Sequence, residues 1–270
     1  MAKELIEKLR VEPGRKVSLD DFDPGDCRGR DKATAKEQLG KHAARLFDLQ
    51  HLLYAEAKHS VLMILQAMDA AGKDGVIRSV MSGLNPQGCR VTSFKAPTAE
   101  DLAHDFLWRV HKAAPAAGEI GIFNRSHYED VLIVRVRRLA PRAVWSRRFQ
   151  QINDFERMLA ENGTVILKFF LHISKDEQKK RFEERLADPS KHWKATPSDF
   201  AERKYWDDYQ EAYSDAISRC STEWAPWYVI PANRNWFRNL AVAEILVAAL
   251  ESLKLSFPKP KFDLSGVVIE

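Results

Sequence analysis

The chain has 270 residues, 45% of them hydrophobic and 30% charged, enough to bury one substantial core without forcing a second domain. Its 42 basic and 38 acidic residues leave a formal net charge of +4, so global charge does not mark a polyanion binder and any anion site must come from local clustering. No apolar run is of spanning length, and the opening MAKELIEKLRVEP is polar or amphipathic; a soluble cytoplasmic protein without membrane association is expected.

Residues 1–32 are charged and carry Pro13, Gly14, Pro24, Gly25 and Gly29, which predicts a loosely structured N-terminal arm over the core. From Ala33 to about Ala57, Leu39, Ala43, Leu46, Leu49 and Leu53 recur at amphipathic-helix spacing. His42, His51 and His59 read as surface or packing histidines. Cys27, Cys89 and Cys220 are unevenly spaced and form no paired metal pattern; they suit a reducing cytosol and read as small buried hydrophobes.

The stretch VLMILQAMDAAGKDGVIRS at 61–79 is the centre of the chain. Val61 to Leu65 form an apolar strand, Gly72 and Gly75 a turn, and Val76, Ile77 and Val80 one face of a following helix. Backbone N–H groups and the helix start then converge on a place suited to phosphate. Against the phosphate-loop (Walker A) pattern G-x-x-x-x-G-K-[ST], residues 67–74 keep Gly72 and Lys73 but carry Ala67 at the first Gly and Asp74 at the hydroxyl position. An ordinary strand-to-helix turn is the alternative. Asp69 and Asp74 beside an anion cradle weigh against it, because both would repel phosphate unless a divalent cation or a proton transfer gives them a role.

Cys89 to Phe94 reads as a second strand, and Thr98 with Asp101 as a capping box opening a helix to about Ala113, with Leu102, Phe106 and Val110 on its core face. A third strand, Ile120 to Phe123, delivers Asn124, Arg125, Ser126, His127, Tyr128, Glu129 and Asp130 to a strand exit, where open parallel sheets bind ligands. The six arginines from Arg135 to Arg148 read mainly as a solvated helix face. A helix near 147–159 leads to a fourth, central strand, Thr164 to Ile173. Ser174 and Glu177 cap a basic helix that Asp188 and Pro189 break; a helix at about 197–219, a fifth strand at 227–231 and a last helix at 236–254 follow. Five strands with helical crossovers predict an α/β protein with a parallel sheet covered on both faces.

Through AMDAAGKDG at 67–75, FNRSHYEDV at 123–131, FERML at 155–159 and KDEQKKRFEERLADPSKHWK within 174–206, the chain resembles the type-2 polyphosphate kinases over about residues 10–250. Asn124 followed by Ser126-His127-Tyr128-Glu129-Asp130 is most similar to the subgroup acting on nucleoside mono- and diphosphates. The resemblance implies a three-layer α/β/α phosphate-loop kinase fold in a single domain, 1–270, with a five-stranded parallel sheet and a helical lid at about 174–206. It implies reversible transfer of the terminal phosphoryl group of inorganic polyphosphate to ADP and AMP, giving ATP from ADP. Magnesium is the implied cofactor, with manganese as a substitute, and a homo-oligomer, dimer or tetramer, the implied state. No nucleic-acid partner is expected.

Phosphoryl transfer needs aligned oxygens and neutralised charge rather than covalent chemistry from the protein. Lys73 would contact a phosphate; Asp69 and Asp74 would hold magnesium, with Asp69 counted also among the catalytic groups; Arg125 and Arg157 would clamp phosphates through their planar forks. Ala70, Ala71, Gly72, Gly75, Asn124 and Glu129 would complete the phosphate and nucleotide site, and Lys179, Arg181 and Arg185 would reach inward from the lid. Plainer readings stand beside these. Arg157 can pair with Asp154 on its own helix, the lid basics can pair with Glu177, Glu183 and Glu184, and Trp193, Tyr205 and Trp206 read as core. A nucleoside-triphosphate-dependent metabolite kinase, and a polyanion binder using the 135–148 arginines and lid lysines, are the competing functions.

Overall fold

The computed structural model describes residues 2–194 and 197–263. Its centre is a five-stranded, wholly parallel sheet of β1 (Ser60–Gln66), β2 (Cys89–Ser93), β3 (Ile120–Asn124), β4 (Thr164–His172) and β5 (Trp227–Pro231), in the order β2-β3-β1-β4-β5. Every residue of β1 and β5 is buried, as are all but one residue each of β3 and β4, which is why these segments read as nearly unbroken apolar runs. The helices in chain order are α1 (Ala2–Leu9), α2 (Lys32–Glu56), α3 (Lys73–Val80), α4 (Ala99–Leu102), α5 (Trp108–Ala113), α6 (Ile133–Val136), α7 (Arg142–Glu161), α8 (Lys175–Ala187), α9 (Pro197–Ala201), α10 (Trp206–Cys220) and α11 (Asn235–Ser252). Helices α2 and α3 each pack against α11 in one layer, while α7 and α10 form a second layer against which Lys168 and Phe170 of β4 pack.

The chain leaves β1 towards one edge of the sheet and β4 towards the other, so the outgoing loops part at the centre, where such sheets bind ligands. Register fixes what meets there. Leu65 of β1 lies opposite Asn124 of β3 and Phe169 of β4, so the loop after Gln66 emerges beside the turn after Asn124. No helix among the described residues is long and apolar enough to cross a membrane.

Several expectations are corrected. The N-terminal arm is ordered: α1 buries Leu5 and Leu9, Val11 donates its N–H to the Trp227 carbonyl at 2.8 Å, and Arg10 pairs with Tyr228 in an antiparallel bridge. The arm thereby covers the open edge of β5. The expected helix at 98–113 is two short helices. The Thr98–Asp101 capping box forms, but the Asp105 carboxylate takes the Leu107 N–H at 2.9 Å and interrupts the helix, leaving Leu102 at 71% exposure. A 3-10 turn at Glu202–Tyr205 likewise separates α9 from α10. The arginine run is a solvated face only in part: Arg138, Arg142 and Arg147 are exposed, but Arg135 bridges Glu211 and Asp215, Arg137 meets Glu202, and Arg148 meets Asp130 at 2.8 Å. Trp193 is 78% exposed, whereas Trp206 is buried as expected. Part of the expected lid, residues 195 and 196, lies outside the described residues.

Candidate active site

The loop between β1 and α3 turns through two residues of unusual backbone conformation. Ala70 sits at φ +63 and Gly72 at φ +105, both in the left-handed region, which costs a non-glycine residue energy. Gly72 is the N-cap of α3, so Lys73 and Asp74 occupy its first turn, where the helix dipole favours anions. The half-buried Lys73 ammonium donates to the Ala67 carbonyl at 3.1 Å. Burial, with the nearby Arg125, pulls its pKa down to about 8, against the opposing pull of Asp69, Glu129 and Asp74.

The turn after β3 closes the other side. Its first residue past the strand, Arg125, is also left-handed at φ +61, with its N–H bonded to the Leu65 carbonyl of β1. This twist aims the guanidinium across the sheet at Asp69, 2.7 Å from Oδ1. Asn124 donates to Asp74 Oδ1 at 2.8 Å. The two aspartates expected from sequence are thus each oriented by a neighbour from the β3 exit. Glu129 lies between Arg125 and Lys73; burial raises its pKa, and those two cations oppose the rise. Gln66, with its amide turned to satisfy both ends, donates to Glu129 Oε1 at 3.1 Å and accepts from Ser126.

Beneath this turn is a fully buried polar cluster. Lys168 of β4 donates to Glu156 Oε2 at 2.5 Å, to the Tyr128 hydroxyl at 2.8 Å and to the Cys220 carbonyl at 2.5 Å. Glu156 also accepts from the Tyr128 hydroxyl at 2.9 Å and lies 3.3 Å from His127 Nε2. The cluster fixes residues 127 and 128, and through them the positions of Arg125 and Glu129.

A cleft opens from Asp69, Arg125 and Glu129 towards Gln178, Arg203, Tyr209 and Tyr213. Gln178 donates to the Asp69 carbonyl at 2.9 Å and accepts from Arg203 at 2.6 Å, tying α8 and the segment before α10 to the loop.

Of the expected site residues, Asp69, Ala70, Ala71, Gly72, Lys73, Asp74, Gly75, Asn124, Arg125 and Glu129 come together. The remaining four behave differently. Arg157 pairs with Asp154 at 3.0 Å, is half exposed and lies 6.0 Å from the Trp224 ring just before β5, at the opposite end of the sheet; the pairing within its own helix is what forms. Arg181 is bonded to the backbone on both sides of it. Its Nε meets Glu177 at 2.9 Å, Nη1 bonds the Ala70 and Ala71 carbonyls, and Nη2 those of Ala232 and Asn233, so it clasps the loop from behind. Lys179 is exposed with Glu183 at 3.9 Å, and Arg185 lies over the Phe182 ring.

Sequence reasoning missed Gln178, Arg203, Tyr209, Tyr213, Lys168, Glu156 and Arg238. For Lys168 there was a signal: a lone lysine inside the apolar run TVILKFFLH must find a buried partner.

The profile of the polyphosphate kinase 2 family matches residues 29–258. The chain is 55% identical over 267 residues to the AMP/ADP-polyphosphate phosphotransferase of Meiothermus ruber, covering 98% of this chain and all of that one. It is 48% identical to the ADP-polyphosphate phosphotransferase of Rhodopseudomonas palustris, over 94% of this chain and 92% of the relative. The crystal structure of polyphosphate kinase 2 from Arthrobacter aurescens TC1 superposes with a TM-score of 0.93 at 51% identity, over 97% of this chain and 94% of that one. With the family match over residues 29–258, near-full-length similarity and the shared fold in agreement, the chain belongs to the polyphosphate kinase 2 family.

Proposed function

We propose that this protein transfers the terminal phosphoryl group of inorganic polyphosphate to ADP and AMP, reversibly and with a divalent metal. The observation that carries the reading is Lys73 at the start of α3, with the Arg125–Asp69 pair on one side and the Asn124–Asp74 pair on the other. It is supported by whole-length similarity to relatives named as AMP/ADP- and ADP-polyphosphate phosphotransferases. Lys73 contacts a phosphate at the loop, and Arg125 reaches the transferring group once its ion pair with Asp69 opens to substrate.

Magnesium is held by one or two carboxylates plus substrate phosphates rather than by an all-protein cage, and the described residues gather no set of three or more acidic, His or Cys side chains. Asp69 and Asp74 fit that demand, each having only Oδ1 engaged by a neighbouring donor. When bound, the ion would neutralise phosphate oxygens between donor and acceptor. A homo-oligomer in the cytoplasm completes the reading.

Incubation with magnesium, ADP and polyphosphate as sole donor tests it, with ATP formation expected and ADP formation expected from AMP. No nucleotide product with any divalent metal would overturn the reading and favour an ATP-dependent kinase or a plain polyanion binder.

A further inference from the structure

Arg238 of α11 is 3% exposed, and its guanidinium packs directly against Gly72 and Gly75. A Cβ at Gly72 would fall 1.9 Å from its Nη1, and one at Gly75 would fall 2.8 Å from its Nη2. Gly72 is therefore required by the arginine behind it as well as by its left-handed turn, and Gly75, inside α3, by the arginine alone. Nη1 donates to the Ala71 carbonyl at 2.9 Å and to Asn235 Oδ1 at 2.7 Å, while Nε and Nη2 share Asn239 Oδ1 at 3.1 and 2.9 Å.

All of these partners are neutral. Arg181, the other guanidinium behind the loop, has the Glu177 carboxylate at 2.9 Å, but no carboxylate among the described residues forms an ion pair with Arg238. A buried cation without a counter-ion is costly. The cost is visible in its pKa, which burial and the neighbouring Arg181 push down to about 9. Three amide or carbonyl oxygens satisfy its donors without cancelling its charge, and the low-dielectric surroundings leave that charge poorly screened.

We propose that Arg238 is a positioning residue whose unneutralised charge acts through the loop, so that the phosphoanhydride bound above Gly72 to Gly75 serves as its counter-ion. The hydrogen bond to the Ala71 carbonyl holds the loop's shape, and the missing carboxylate preserves its anion affinity. The inference rests on the phosphate reading of the loop.

Asn239→Asp separates charge from shape. It keeps the acceptor for Nε and Nη2 but supplies the carboxylate, so the ligand-free fold should melt at or above the parent's temperature. Affinity for inorganic tripolyphosphate, measured by calorimetry without metal, should weaken about tenfold, equivalent to about 1.4 kcal/mol. The polyphosphate KM should rise in step, with kcat less affected. Tripolyphosphate binding within twofold of the parent would overturn the proposal, because a purely structural arginine gains from a carboxylate partner. Should that variant not fold, Arg238→Lys and Arg238→Met decide: retained affinity in Lys and loss in Met supports the charge, and equal loss in both overturns it. Failure of Asn239→Asp to alter affinity in a protein that makes ATP from ADP and polyphosphate refutes the role of Arg238 alone. A parent that binds no tripolyphosphate overturns the role of Arg238, and one that in addition makes no ATP from ADP and polyphosphate with any divalent metal overturns both readings.

Discussion

Removing Lys168 tests how far the buried cluster beneath the turn after β3 depends on its ion pair. Lys168 and Glu156 are each 0% exposed with 2.5 Å between Nζ and Oε2, and at an effective dielectric near 20 that contact is worth about 6–7 kcal/mol of Coulomb attraction. Desolvation of the two ions cancels most of it, so the intact pair contributes little net stability. Deleting one partner is a different matter, because Lys168→Met leaves Glu156 buried with only His127 and Tyr128 beside it. The expected loss is about 3–5 kcal/mol, or about 10 °C in Tm for a domain of this size. Glu156 is held ionised in the parent, its pKa lowered because Lys168 and His127 outweigh the burial that would raise it. Without Lys168, burial dominates and raises the folded-state pKa. The sign then reverses: the variant's deficit is smallest below the pKa of an exposed glutamate and grows as pH rises through the raised folded value. The double variant Glu156→Leu/Lys168→Met removes both charges and should recover most of the lost stability. Calorimetric melts at pH 5 and 8 measure all three proteins. Lys168→Met within about 1 kcal/mol of the parent at both pH values would refute the buried-pair reasoning.

Lys73, with its pKa near 8, should lose its proton as pH rises through that value, so kcat/KM for polyphosphate is expected to fall above pH 8 with a one-proton slope; a profile flat to pH 10 contradicts this. The same residue acts oppositely on stability, because between about 8 and the ordinary lysine value of 10.5 the unfolded chain binds a proton that the folded chain does not, and its contribution rises with pH. Asp69→Asn and Asp74→Asn should each collapse activity and raise the magnesium needed, read from a metal titration; parent-like behaviour in both would make the carboxylates structural. Arg157→Ala should stay within about threefold of the parent's kcat/KM, since an exposed ion pair is worth about 0–1 kcal/mol. A hundredfold loss would place Arg157 in a neighbouring subunit's site.

The strands and the strand–loop–helix at 60–80 were legible because they rest on local signals: apolar runs bounded by turns, and Gly72-Lys73 between a strand and a helix. The β3 exit was legible by position alone. What the sequence hid is tertiary. Arg181 looks like a lid cation because it lies in a basic helix, yet its partners are carbonyls at positions 70, 71, 232 and 233, which no spacing rule connects. Arg157 sits in a family-like motif, but a helix places residues 155 and 156 inward and 157 outward, so its neighbours in the motif face the core while it faces solvent. The arm at 1–32 was misread because its prolines and glycines outweighed Leu5 and Leu9, one helical turn apart, whose burial depends on an open β5 edge. Arg238 gave no local signal at all, since its role depends on two glycines far away in sequence.

The most direct test of the central claim, that Lys73 neutralises the phosphate transferred from polyphosphate, is single-turnover ATP formation from ADP and polyphosphate by the parent and by Lys73→Ala. Loss of one preorganised contact to developing charge costs about 2.7–4 kcal/mol, so the variant should be slower by about 10²–10³-fold while its melting temperature stays near the parent's. A rate within about tenfold of the parent, or about 1.4 kcal/mol, would contradict the claim and reduce Lys73 to a turn residue bonded to Ala67.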